Sequence, residues 1–176
     1  MVYTMKSGIL YQDPNQNVLA KVKSSLTDSV KKIFVPEGEM VLETKIRSLD
    51  PEHAHCGDVR WKEYVLEDQE GNIIAEGLPE YAAGDDPDMT GWPICRMPRV
   101  DHAKVVIGGG EYTLCMENEQ NYIVLDDSNT EVIRIVHKGI TGGWKIENDR
   151  DFSPEVLCGV FIFCRYIEQE NEFMMV

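Results

Sequence analysis

The chain is 176 residues long, the size of one domain, and a chain of that length buries roughly 70% of the surface its unfolded form exposes. Hydrophobic residues make up 43% and charged residues 27%, ordinary values for a globular protein. Lysine and arginine number 17 against 31 aspartates and glutamates, a formal net charge of -14. Nucleic acids and anionic membrane surfaces draw binding from Lys and Arg, so this charge argues against both as partners and favours a soluble monomer.

Cys56, Cys95, Cys115, Cys158 and Cys164 are odd in number and show no Cys-x-x-Cys spacing. They predict buried free thiols of a reducing compartment, not a disulfide framework. Residues 1–10 lack the basic start and apolar run of a secretory signal. The longest apolar run covers residues 156–167, whereas a membrane span takes about 20 residues. A single cytoplasmic domain over residues 1–176 is the expectation.

From the N-terminus onward one unit recurs: an alternating apolar stretch, an acidic or amide-rich turn, and a second alternating stretch. Residues 9–11 lead through Asp13-Pro14-Asn15 into 18–23, and residues 32–35 lead through Pro36-Glu37-Gly38 into 40–47. Residues 64–66 lead through Glu67-Asp68-Gln69-Glu70-Gly71-Asn72 into 73–76. Asp, Asn, Gly and Pro tolerate or preset turn geometry, and the flanking β-branched and aromatic residues favour strands.

Between residues 79 and 99 the pattern fails. Gly84, Asp85, Asp86, Pro87, Gly91, Pro93 and Pro98 predict a long loop. Alternation returns around Val105-Val106-Ile107. Gly108-Gly109-Gly110 lacks the Lys and Ser/Thr of a phosphate-binding loop and predicts a strand turn. Gly142-Gly143, ahead of Trp144, reads the same way. A last hairpin runs from residues 122–125 through Asp126-Asp127-Ser128-Asn129 into 131–138. Several antiparallel hairpins in series must close or stack to remove their edges.

The C-terminal segment changes character. Ser153 can cap a helix, Pro154 suits its first position, and Glu155 complements its dipole. Of the twelve residues 156–167, all but Gly159 and Arg165 are apolar, and they cover every helical face. Such a helix has no polar stripe to show to water and must be surrounded. Residues 168–176 turn charged and are expected to emerge from the core. The fold predicted is mainly β: a closed antiparallel barrel of repeated hairpins enclosing one hydrophobic C-terminal helix.

These hairpins, such as residues 64–76 with their Glu-Asp-Gln-Glu-Gly-Asn turn, and the apolar run 156–167 resemble the tubby C-terminal-like superfamily. That superfamily includes tubby proteins, LURP-one-related proteins and phospholipid scramblases. The likeness spans residues 9–167 and lies in architecture. It implies a barrel of about twelve strands threaded by a hydrophobic helix. It also implies lipid-headgroup binding through basic residues, but no residue here matches those basic positions.

Glu52-His53-Ala54-His55-Cys56 is the densest group of metal-ligating side chains. On a strand His53 and His55 share a face, with Cys56, Cys95 or His102 available as a third ligand. A metal-binding protein or enzyme built on His53 and His55 is therefore one alternative. Two ligands do not close a site, and a polar connection between strands explains the same residues, so no metal and no cofactor are predicted. No Gly-x-Ser-x-Gly elbow occurs. Cys95 and His102 could meet only in space. Asp85-Asp86 and Asp126-Asp127 sit in turn-rich sequence and read as solvated. Trp61 and Trp144 read as core or barrel-mouth residues, and Trp92 as an exposed partner contact. The function read from the residues is a non-catalytic binding or interaction module for an unknown protein or small molecule. Lipid-headgroup binding, by resemblance, is the second alternative.

Overall fold

The computed structural model describes residues 1–24, 30–53, 58–86, 98–118 and 120–172. Twelve strands follow one another: β1 (Val2–Lys6), β2 (Ile9–Gln12), β3 (Asn17–Ser24), β4 (Lys31–Phe34), β5 (Met40–Ser48) and β6 (Lys62–Asp68). Then come β7 (Ile73–Tyr81), β8 (Val100–Ile107), β9 (Gly110–Asn118), β10 (Asn121–Asp126), β11 (Glu131–His137) and β12 (Trp144–Asn148). Each strand pairs antiparallel with its neighbours in the chain, and β1 pairs with β12 to close the barrel. Closure leaves no free edge. The predicted hairpins are all present, and both Gly-rich segments are turns between strands.

Alternation along the strands sends one side chain in two inward. Leu10, Ala20, Ile33, Leu66, Ala75, Leu114, Ile133 and Ile146 form a lining that solvent does not reach. A barrel of twelve strands encloses more space than its own inward side chains fill. The helix α1 (Pro154–Glu172) occupies it. The Val156 N–H donates to Ser153 Oγ, 3.4 Å, and the Leu157 N–H to Ser153 O, 3.0 Å, as the capping signal predicts. Residues Leu157 to Cys164, Tyr166 and Ile167 are buried. Phe163, Tyr64 and Tyr166 pack as a mutual trio, with ring centroids 5.2 to 6.4 Å apart. Gly159 allows the helix to approach β6: a Cβ there would lie 2.5 Å from Leu66 Cδ2.

Two expected boundaries move. The helix does not end at residue 167 but continues through Glu172. Its charged last turns find partners at the rim. Tyr122 Oη donates to Glu168, 3.0 Å, and Lys62 pairs with Glu170, 2.5 Å. Asn171 accepts from the Val100 N–H and donates to the Val100 carbonyl, 3.0 and 2.8 Å. The loop expected over 79–99 begins at Ala82, because Pro79, Glu80 and Tyr81 belong to β7. A proline interrupts a strand where its missing N–H is needed. Pro79 lies beyond the last β6 partner, Tyr64↔Gly77, and pairs only with β8.

The helix enters at one rim, beside Asn148, and leaves at the other, beside Val100. The entry rim carries the β2–β3, β4–β5, β6–β7, β8–β9 and β10–β11 turns. The exit rim carries the β1–β2, β9–β10 and β11–β12 turns and the connections 25–30, 49–61 and 82–99.

Candidate functional site

At the exit rim the β1–β2 turn, β3, β4 and α1 frame a half-open cleft of about 400 Å³. Its shape begins with backbone conformation. Ser7 and Gly8 take left-handed φ angles of 51° and 75°, the hairpin geometry that matches strand twist. Gly8 then lies against β3: the Val22 N–H donates to Gly8 O, 2.6 Å, and a Cβ on Gly8 would sit 2.8 Å from Val22 O. The turn is thus held at the cleft edge.

The floor is apolar. Met5, Val22, Phe161 and Ile162 line it. Phe161 packs edge-on against Trp144, ring centroids 5.1 Å apart, and Trp144 packs against His137 at 4.9 Å. The edge is polar, with Ser7, Ser24, Lys31, Arg165, Tyr166 and Gln169. Arg165 is committed, paired with Glu168 and lying over the Trp144 ring at 5.4 Å. Tyr166 Oη shares a buried 2.9 Å hydrogen bond with Thr44 Oγ1. Lys31 is different. It is half-buried, and among the described residues no carboxylate pairs with it. Among the described residues neither aspartate nor glutamate lines the cleft.

That charge pattern runs against the rest of the molecule. Residues 1–36 hold Lys6, Lys21, Lys23, Lys31 and Lys32 against Asp13 and Asp28, a net +3, so the remaining 140 residues carry -17. Whole-chain charge conceals this segregation, which is the signal in the sequence that points to the site. Trp144 reads correctly as a mouth residue. A cleft of one sign, walled by low-dielectric side chains, concentrates potential.

The residues singled out from sequence lie elsewhere. His53 closes a short 3-10 turn, Pro51–His53, and residues 54–57, with His55 and Cys56, fall outside the described residues. So do Trp92 and Cys95, and the proposed meeting of Cys95 with His102 lies outside them too. His102 stands on the outer barrel face, its Nδ1 2.7 Å from Asp101 and its Nε2 3.0 Å from Glu80. Both ring nitrogens are therefore taken. Among the described residues no three His, Cys, Asp or Glu side chains are placed to hold a metal ion. Cys158 and Cys164 sit in the core, where burial pushes both thiols well up and leaves them inert.

Asp58 and Tyr81 tie the two long exit-rim connections together. Tyr81 Oη donates to Asp58, 3.1 Å, and Arg60 pairs with the same carboxylate at 2.5 Å. Burial alone would raise the Asp58 carboxyl, but hydrogen bonds from Arg60 and Tyr81 bring it below the usual range. Burial pushes the Tyr81 phenol up to about 12. Asp85 is not solvated as expected but buried, accepting from the Arg99 N–H at 3.0 Å. Asp126 is buried as well and pairs with Arg150, 2.6 Å. No helix among the described residues is long and apolar enough to cross a membrane. No family model, curated protein or solved structure matches the chain.

Proposed function

We propose that the protein is a non-catalytic binding module and that it holds a small molecule in the exit-rim cleft between α1 and β1–β4. One observation carries the reading: an apolar floor and a polar edge with uncommitted donors share one opening of about 400 Å³. Ligand clefts typically measure about 300–1,000 Å³ and combine apolar walls with a few polar groups. We read the cleft as a binding site because its lining pairs an apolar floor with hydroxyl, amide and ammonium donors and holds no His, Cys or carboxylate among the described residues. Ser7 and Ser24 therefore read as hydrogen-bond donors.

A barrel closed about a C-terminal helix is the architecture that the tubby-like resemblance implies, and it supports that kinship as a proposal.

Methyl-resolved NMR with octanol as a neutral apolar probe tests the cleft. Shifts confined to the Met5, Val22 and Ile162 methyls are expected. Shifts spread over the outer barrel face, or none at millimolar octanol, would sink the assignment.

A further inference from the structure

Resting on that reading, we propose that the ligand is a single-chain aliphatic carboxylate, its acid group held by Lys31 at the cleft edge and its chain laid on Met5, Val22, Phe161 and Ile162. Three observations point there independently of one another. The first is a lining cation without a carboxylate partner among the described residues. Arg165 is spent on Glu168 and Trp144, whereas Lys31 reaches the opening with no carboxylate partner among the described residues. A half-buried ammonium gains a charge-assisted bond, stronger than a neutral one, when an anion arrives.

The second is the neighbourhood. Among the described residues no acidic side chain lines the cleft, although the chain as a whole carries -14. An amine or a cationic headgroup would meet Lys31 with like charge. A dianionic phosphate would require more positive charge than one free lysine supplies. The Ser7 and Ser24 hydroxyls and the Gln169 amide add neutral donors, which complete the shell of a monoanion whose two oxygens accept about four hydrogen bonds.

The third is the floor. A volume of about 400 Å³ corresponds to about a dozen groups the size of a water molecule, at ~30 Å³ each. Octanoate, with ten heavy atoms, fits that space. A double-chain lipid does not.

Calorimetric titration of the full chain with octanoate, octanol and octylamine separates the possibilities. Octanoate is expected to bind more tightly than octanol, and octylamine not to bind. Lys31→Met should weaken octanoate by about tenfold, the scale of one charge-assisted bond. It should leave octanol unchanged, and Lys31→Arg should restore octanoate. Equal binding of octanoate and octanol, or full octanoate affinity in Lys31→Met, would overturn the carboxylate assignment and leave the cleft standing. Failure of all three probes would remove the cleft itself. Binding to phosphatidylserine vesicles without binding to free octanoate would assign the lysine to a membrane headgroup and overturn the proposal.

Discussion

At the entry rim five connections of two to five residues join consecutive strands, while at the exit rim the β5–β6 and β7–β8 connections run to 13 and 18 residues. The entry turns are held by their own side chains. Asp68 accepts from the Glu70 and Asn72 N–H groups, both 2.9 Å, and Asp126 from those of Ser128 and Thr130, 3.0 and 2.9 Å. The exit rim is held by contacts distant in sequence: Tyr81 on Asp58, Asn171 on Val100, Lys62 on Glu170. Local chemistry closes one end tightly. The other end mixes short turns, such as Ser7-Gly8, with long connections held from a distance, and there the cleft opens.

Removing α1 tests the contrast most severely. A chain ending at Phe152 should aggregate without a cooperative transition, because the lumen loses its filling. A soluble protein with a sigmoidal melt would show the barrel to be self-sufficient. Phe163→Ala comes next. Its side chain is fully buried, and truncation should cost about 3–5 kcal/mol by urea unfolding.

Gly159→Ala should cost about 1–3 kcal/mol through overpacking against Leu66, outweighing the helix propensity it gains. The same change in a Leu66→Ala background should be milder than additive. Simple additivity in a double-mutant cycle would disprove the close approach.

The carboxylates of the two rims are lowered alike, by different means. Hydrogen bonds hold Asp68 and Asp126 at the entry rim below their ordinary range, partly against desolvation. At the exit rim burial raises the Asp58 carboxyl, and hydrogen bonds from Arg60 and Tyr81 outweigh it and lower it. A lowered folded value means stabilisation that is present above about pH 4 and lost as pH falls through that lowered value. Asp58→Asn should therefore flatten the acid limb of the stability curve, and an unchanged limb would remove Asp58 from that account. The smallest effect belongs to Lys31→Met. Stability within about 0.5 kcal/mol of wild type is expected, since Lys31 holds nothing in place. A larger loss would make it a structural residue of the exit rim.

The hairpins and the helix were legible because their causes are local. Turn residues, two-residue alternation, and a Ser153-Pro154 start before an apolar run each act within a few positions. The cleft was not legible in that way. Met5, Val22, Lys31 and Ile162 look unremarkable one by one, and only the segregation of lysines into residues 1–36 hinted at their common site. His53 and His55 drew attention because metal ligands are conspicuous in a sequence, whereas a lone lysine is not.

By itself the sequence determined four of the hairpins and the need to bury a helix apolar on all faces. Tertiary structure alone decided that β1 meets β12 across more than a hundred residues, with the Met1 ammonium donating to Asn148 O at 2.6 Å. It also decided where Gly159 touches Leu66, and which lysine, of five in the N-terminal quarter, stands at an open mouth. The reason is physical: turns and caps are satisfied by neighbours in the chain, but register, closure and the pairing of charges depend on which distant groups the fold brings within a few ångströms.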